Sequence, residues 1–373
     1  MFSAQDFDFM RRALALAERG MFITTPNPRV GCVLVRGSEI IGEGFTQPAG
    51  QDHAEIQALK DARARGNEVR GAVAYVSLEP CSHFGRTPPC ANALVEAGVA
   101  RVIAAMEDPN PQVAGRGFAM LRQAGVDVRC GLLENEAREL NIGFVARMSR
   151  GVPWVRLKVA ASLDGKTALH NGLSQWITGP AARADGHWWR ARACALLTGI
   201  GTVREDDPQL TVRAVATPRQ PLRVLVDSAL DVPPGARILA DGNVLVAHAN
   251  ADPARAERLR AMGIDLLDVP NAHGKVDLPA LLRALARRGI NELHVEAGFK
   301  LNGSLLRERC VDELLVYLAP CLLGDARGMF NLPAIDTLTQ GVALEFHDTR
   351  KFGPDLRLMA RIVRPDAAPS ARS

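Results

Sequence analysis

Short apolar segments alternate with amphipathic ones along nearly the whole chain, and this alternation restricts the fold more than any other feature. RVGCVLVRG (29–37), EIIGEGFTQ (39–47), AVAYVSLEP (72–80), VARVIAAME (99–107) and VDVRCGLL (126–133) are apolar runs bounded by turn residues, as strands are. Around and between them, 6–20, 54–66, 88–98, 115–125 and 134–148 carry apolar residues at helical spacing, several ending on Gly. Strands and helices in this order predict a three-layer α/β domain, with helices on both faces of one sheet.

The pattern pauses at MSRGVPWV, where Gly151 and Pro153 separate a helix from a new strand, and then resumes. In the second half, 154–165, 194–203, 221–228, 242–250, 264–270, 290–298 and 312–320 read as strands. Helices are expected over 182–193, 252–263, 278–289 and 300–310. A chain of 373 residues exceeds one ordinary core. The division is therefore set at 1–148 and 149–365, with RPDAAPSARS at the end expected to supply a mobile tail over 366–373.

Composition narrows the classes of function. No stretch of about 18 uncharged apolar residues occurs, so no membrane span is expected. The first twenty residues carry acids and lack an unbroken apolar region, which argues against a signal peptide and for a cytoplasmic protein. Residues 1–150 hold 17 Lys and Arg against 17 Asp and Glu, with Tyr75 as their one tyrosine, so a basic, aromatic groove for nucleic acid is not expected. Seven cysteines, an odd number spread over a large chain, fit reduced thiols better than a disulfide framework.

Chemistry concentrates in two stretches of the first half. QDHAEIQALK puts His53 and Glu55 in the first turn of a predicted helix, while in LEPCSHFGRTPPC Cys81 ends a strand and Cys90 opens the next helix. One imidazole and two thiolates suit Zn²⁺, with the fourth tetrahedral position left for a water acidified to a pKa of about 7. Glu55, in an H-x-E pattern, would move protons rather than bind metal, as in zinc deaminases. Eight residues separate the two cysteines where the compact deaminase form has two, so His83 rivals Cys90 as third ligand. Cys90 is favoured because a second thiolate at a helix start completes the set. Taken singly, HAE is an ordinary polar turn and either cysteine an ordinary core residue.

PNPRVGCVLV (26–35), DHAEIQAL (52–59), LEPCSHFGRTPPC (78–90) and DPNPQVAGRG (108–117) resemble the N-terminal half of the bifunctional riboflavin-biosynthesis deaminase/reductase family, within the cytidine-deaminase-like superfamily. In that family the long cysteine spacing is the normal form, which implies His53, Cys81 and Cys90 as the zinc ligands. The resemblance implies deamination of 2,5-diamino-6-(5-phosphoribosylamino)pyrimidin-4-one to the uracil. Asn27, between two prolines, would meet the ring or ribose, and His83 and Arg86 the phosphate. The competing readings are a turn asparagine and solvated loop charges.

LKVAASLDGKTA (157–168), SQWITG (174–179), TGIGTVREDDPQLTVR (198–213) and HVEAGFKLNGSLL (294–306) resemble the reductase half of the same family, similar in fold to dihydrofolate reductase. The spacing after 294 is not G-x-G-x-x-G, so a Rossmann fingerprint is not met, and NADPH rests on the resemblance. It implies reduction of the ribosyl group to ribityl. Ala160, Trp176, Thr202 and Asp206 would line the nicotinamide end, Ser228 the adenosine ribose, and Gly298, Phe299, Lys300, Leu301, Asn302, Gly303 and Ser304 the diphosphate. Ser174, Arg190, Leu210, Arg213 and Glu296 would face the substrate, the arginines matching its phosphate. Lys158, Asp206 and Glu296 are the charged groups at strand ends available to bind substrate and relay protons, and the motif does not separate a proton donor from a positioning group. The partner implied is a phosphorylated pyrimidine of small size, with neither nucleic acid nor membrane, and with room for a homo-oligomer. Against this, Trp176 reads equally as a core aromatic and Arg190 as a surface ion-pair residue.

Overall fold

The computed structural model describes residues 2–82, 89–111 and 113–364. His83 and Arg86, and the expected tail, lie outside the described residues. Two compact units emerge, Met1–Val152 and Pro153–Ser373.

The first unit is built on five strands, β1 (Gly31–Arg36), β2 (Glu39–Phe45), β3 (Val73–Val76), β4 (Arg101–Ala104) and β5 (Asp127–Cys130), in the order β2-β1-β3-β4-β5. β1 runs antiparallel to both neighbours, while β3, β4 and β5 are parallel. Among the described residues six helices accompany them: α1 (Ala4–Glu18), α2 (Ala54–Ala64), α3 (Cys90–Glu96), α4 (Arg116–Gln123), α5 (Glu134–Leu140) and α6 (Ile142–Arg150). The helices lie on both faces. Cys32 pairs with Gly44 and Gly31 with Phe45, so Gly31 and Gly44 face opposite sides of the sheet. A Cβ on Gly31 would meet the Ala13 carbonyl of α1 at 1.9 Å, and one on Gly44 the Ala54 carbonyl of α2 at 2.3 Å. Helix contact on both faces explains why Cys32, Val33 and Leu34 are all fully buried and why this strand reads as continuously apolar.

The helix expected over 134–148 is two helices. At Asn141 the backbone leaves helical geometry (φ −108°, ψ 21°). Its side chain accepts the Arg29 N–H at 2.8 Å and donates to the Arg29 carbonyl at 2.9 Å, tying the break to the chain entering β1.

The second unit contains a nine-stranded sheet in the order β11-β10-β9-β8-β12-β6-β13-β16-β15. Its strands are β6 (Trp154–Ser162), β8 (Ala195–Gly199), β9 (Leu222–Val226), β10 (Val244–His248), β11 (Asp265–Asp268), β12 (Glu292–Val295), β13 (Glu313–Ala319), β15 (Leu344–Phe352) and β16 (Asp355–Ile362). From β11 to β13 every pairing is parallel; β16 and β15 close one edge antiparallel. A small ladder pairs β7 (Lys166–Ala168) with β14 (Arg327–Gly328). The helices are α7 (Pro180–Arg192), α8 (Ile200–Asp206), α9 (Pro253–Ala261), α10 (Leu278–Arg287) and α11 (Phe299–Arg307).

The run 194–203, expected as one strand, is strand then helix. β8 ends at Gly199, which caps α8 in an extended conformation, and the apolar run continues only because Val203 of α8 is buried in the same core. The hairpin β15–β16 carries charged residues at so many positions that no strand was expected there. The chain builds β6, then β8 to β11 moving away on one side, and later inserts β12 between β8 and β6. That reversal creates a crevice at the C-terminal strand ends, the usual ligand position in an open parallel sheet.

Candidate functional site

In the first unit His53, Cys81 and Cys90 converge. His53 is the N-cap of α2, with no side-chain capping bond, so its ring is not spent on the helix. Cys90 is the first residue of α3. Cys81 Sγ lies 3.6 Å from His53 Nδ1, Cys90 Sγ lies 3.4 Å from the same nitrogen, and the Cys90 N–H donates to Cys81 Sγ at 3.3 Å. Zn–S bonds of about 2.3 Å and Zn–N bonds of about 2.0 Å at tetrahedral angles separate ligand atoms by about 3.5–3.8 Å. The three ligand atoms all lie within 4.8 Å of one another, and the thiols are free, so the trio fits a zinc ion and is not a disulfide. Zinc is the metal this donor set favours.

Hydrogen bonding from Cys90, then from His53, draws the Cys81 thiol down to about 4, while contact with Cys81 and burial push Cys90 upward. Glu55 is 3% exposed. Burial, then the neighbouring Cys81, raises its carboxyl to about 7, and its side chain meets Cys90. Asn27 occupies the turn before β1, its N–H donating to the Thr24 carbonyl. Because Gly31 and Ser77 exchange hydrogen bonds across β1 and β3, this turn sits at the sheet edge from which 78–81 departs.

Sequence reasoning passed over Glu79, two residues before Cys81. It is buried, and its carboxylate accepts four N–H groups, from Asp108 (3.1 Å), Gly115 (3.0 Å), Gly117 (2.8 Å) and Phe118 (3.2 Å). One side chain thus ties DPNPQVAGRG to the strand end that carries a metal ligand.

In the second unit Glu296, just past β12, receives a two-pronged contact from Arg190 of α7, at 2.5 and 2.9 Å, and Lys158 of β6 stands 3.8 Å away. Arg190 is therefore committed to the sheet end, and not to the surface. Burial would raise the Glu296 carboxyl, but Arg190 and Lys158 outweigh it and hold it well below the usual range; burial lowers the Lys158 ammonium. Arg190 also donates to the Thr211 carbonyl, bringing in the segment of Leu210 and Arg213. The Arg213 N–H donates to His187 Nδ1 at 3.2 Å, a residue sequence reasoning did not single out. Ser174 Oγ lies 3.5 Å from Asp206 Oδ1. Trp176 is 69% exposed under the Arg183 guanidinium, hence no core residue, whereas Trp189 is buried and Trp188 packs beside it. Ala160 follows Lys158 on the same face of β6.

Beside this cluster a cleft of about 700 Å³ runs along the strand ends, lined by Gly199, Thr202, Ser228, Gly298, Lys300 and Ser304 among others. Its volume suits a dinucleotide. Gly298 caps α11, whose free N–H groups suit a diphosphate. Phe299 and Leu301 also line it. Asn302 and Gly303 turn away, Asn302 donating to the Met329 carbonyl and Gly303 packing against Asn331, because helical periodicity alternates the faces. The acid at the end of β9, Asp227, is 1% exposed and accepts the Val232 N–H at 2.8 Å.

Residues 3–106 match the cytidine and deoxycytidylate deaminase zinc-binding region, and residues 153–358 the RibD C-terminal domain. The riboflavin biosynthesis protein RibD of Escherichia coli K12 is 48% identical over 369 residues, covering 95% of this chain and 98% of that protein. That of Haemophilus influenzae is 46% identical, covering 96% and 97%. Among solved structures, Acinetobacter baumannii RibD superposes with a TM-score of 0.89 at 43% identity, covering 96% of this chain and 99% of that one. A Thermotoga maritima diaminohydroxyphosphoribosylaminopyrimidine deaminase/5-amino-6-(5-phosphoribosylamino)uracil reductase gives 0.85 at 32% identity, covering 96% and 99%.

Proposed function

The chain belongs to the RibD family of bifunctional riboflavin-biosynthesis proteins, and on that premise we propose which of its residues carry the two reactions. The enzyme deaminates 2,5-diamino-6-(5-phosphoribosylamino)pyrimidin-4-one to 5-amino-6-(5-phosphoribosylamino)uracil, then reduces the ribosyl to the ribityl group with NADPH. We assign the first step to residues 1–148 and the second to 149–365.

In deamination a water oxygen replaces the exocyclic amine at the ring carbon and ammonia leaves. His53, Cys81 and Cys90 hold zinc, which when bound supplies an acidified water. Glu55 is the proton carrier. It is buried beside the trio, two residues after His53 and in contact with Cys90, and it takes a proton from water and returns it to the ring nitrogen and departing amine. Asn27, at the same sheet edge, orients the ring or ribose, and His83 and Arg86 complete the substrate loop. The convergence of one imidazole and two sulfurs carries this assignment.

In reduction, C1 of the opened sugar, doubly bonded to the amine nitrogen, gains a hydride, which NADPH supplies when bound, and that nitrogen gains a proton. Lys158, held against Glu296, is the ammonium we assign to deliver that proton. Glu296 fixes both Lys158 and Arg190, and Arg190 with Arg213 clamps the phosphate; Ser174 and Leu210 flank it. Ala160, Trp176, Thr202 and Asp206 border the nicotinamide end.

No helix among the described residues is long and apolar enough to cross a membrane, and a cytoplasmic setting with small-molecule partners belongs to the same reading. A homo-oligomer is part of it as well. β15 is an edge strand carrying exposed Phe346, and pairing two copies antiparallel about Asp348 sets Glu345 against Lys351. Zinc-loaded protein given the diaminopyrimidine phosphate is expected to release ammonia and, on addition of NADPH, to consume its absorbance. Failure of either signal refutes the corresponding assignment.

A further inference from the structure

The cleft beside Glu296 offers phosphate-binding cations at two separate positions. Four of its lining residues are Lys or Arg: Arg204, Lys275, Lys300 and Arg327. Arg204 pairs with Asp231 and Arg327 with Glu205. Among the described residues neither Lys275 nor Lys300 has a carboxylate within ion-pair distance. Lys300 stands in the first turn of α11, next to the N–H groups that suit a diphosphate. Lys275 stands elsewhere, on the turn 271–275 that follows β11.

That turn is bent back over the sheet and held there. The Val276 N–H donates to Ser228 Oγ at 3.2 Å, bringing the turn to the end of β9. Asn271 Oδ1 accepts the N–H groups of both His273 (2.9 Å) and Lys275 (3.0 Å), and Asn250 Nδ2 donates to the Gly274 carbonyl. β9 lies two strands from β12, which at ordinary strand spacing is about 10 Å. This is the reach from a dinucleotide's diphosphate to the far side of its adenosine ribose.

At that ribose the two nicotinamide cofactors differ by one phosphate. An acid at the end of a strand selects the 2′-hydroxyl of NADH by accepting its hydrogen bond. Asp227 occupies such a position but is buried and accepts the Val232 N–H, and Asp231, which lines the same cleft, is paired with Arg204 and Arg255.

We propose that Lys275 binds the 2′-phosphate of NADPH and so makes the reductase unit select NADPH over NADH. The inference rests on the reading of this cleft as the cofactor site. His273 and Asn271 border the same position, and the prearranged turn limits the ordering cost on binding.

The test titrates the full chain with NADPH and with NADH, following reduced-nicotinamide fluorescence, for the parent, Lys275→Ala and Ser228→Trp, with thermal melts establishing that each variant is folded. Lys275→Ala is expected to weaken NADPH about 10-fold or more and to leave NADH within about 2-fold, as loss of one charge-assisted phosphate contact requires. Adenosine 2′,5′-bisphosphate, used as a competitor, should lose affinity in parallel while ADP does not. Equal losses for NADPH and NADH, or no loss for either, overturn the role of Lys275. Ser228→Trp fills the cleft and is expected to weaken both cofactors; if it weakens neither, the reading of the cleft falls too.

Discussion

Replacing Glu79 by Gln tests how the metal-bearing strand end is held. Each carboxylate oxygen accepts two backbone N–H groups, Oε2 those of Asp108 and Gly115, and Oε1 those of Gly117 and Phe118. Glutamine fills the same space but keeps one acceptor oxygen; its NH₂ group would face two N–H donors in place of the oxygen that accepts them. An orphaned buried donor costs about 1–3 kcal/mol, so the substitution should cost about 2–6 kcal/mol. Against a total stability of about 5–15 kcal/mol this is large, but the strain falls on one segment, so 108–118 should open before the unit unfolds. Hydrogen exchange read by mass spectrometry is expected to lose protection at residues 115–118 in the variant, while β1 and β3 stay protected, and the first melting transition should drop. Because Cys81 follows two residues later, zinc should also dissociate faster. Unchanged protection at 115–118 together with an unchanged melt would show that the four contacts contribute little, and the reasoning would fail.

Two further outcomes follow from the zinc site and one from a buried ion pair in the second unit. Glu55→Gln should retain zinc, measured by atomic absorption, yet lose about 10²–10⁴-fold in ammonia release, the usual worth of a positioned general acid–base. Cys90→Ser should lose zinc at chelator concentrations that the parent withstands, since a hydroxyl replaces one thiolate in a soft donor set; equal retention would return the ligand question to His83. In the second unit, burial would raise the Glu313 carboxyl, but Arg156 and then His347 outweigh it and hold it at about 2. A depressed carboxyl contributes stability that is complete above about 4.5 and is lost as pH falls towards 2. Glu313→Gln should therefore flatten the acid limb of the stability profile in that window, besides a loss at neutral pH below the roughly 3–5 kcal/mol of a fully unpaired buried charge, because Arg156 keeps Glu292.

The parts of the fold that were legible in the sequence are those with one dominant period. β1, β3 and β4 are buried on both faces and read as unbroken apolar runs; α10 reads as a helix because its apolar residues share one stripe. Where one apolar run spans a change of element, as at Gly199, composition does not mark the change, because both pieces feed the same core. The break at Asn141 depends on Arg29, more than a hundred residues away. The hairpin at the β15 edge hides for a related reason: it is partly exposed, and its charges erase the alternation that would otherwise identify it.

The same contrast separates the two sites. Zinc ligands are legible because each needs a particular side chain at an element's end, so three residue types recur with the element order H-x-E, strand, cysteine, helix. Phosphate recognition in the second unit needs only a cation near the right strand end, and many of the chain's 45 Lys and Arg residues satisfy that in isolation. What distinguishes Arg190 is Glu296 across α7 and β12, and what distinguishes Lys275 is the bond from Val276 to Ser228 that folds its turn back over β9. Both are tertiary facts. Within the cleft, specificity for a polyanionic ligand therefore comes from where the sheet's order of insertion leaves charge unneutralised. Placing β12 between β8 and β6 opens the crevice, while Asp231 and Glu205 neutralise the cleft's two arginines and leave its two lysines for phosphate.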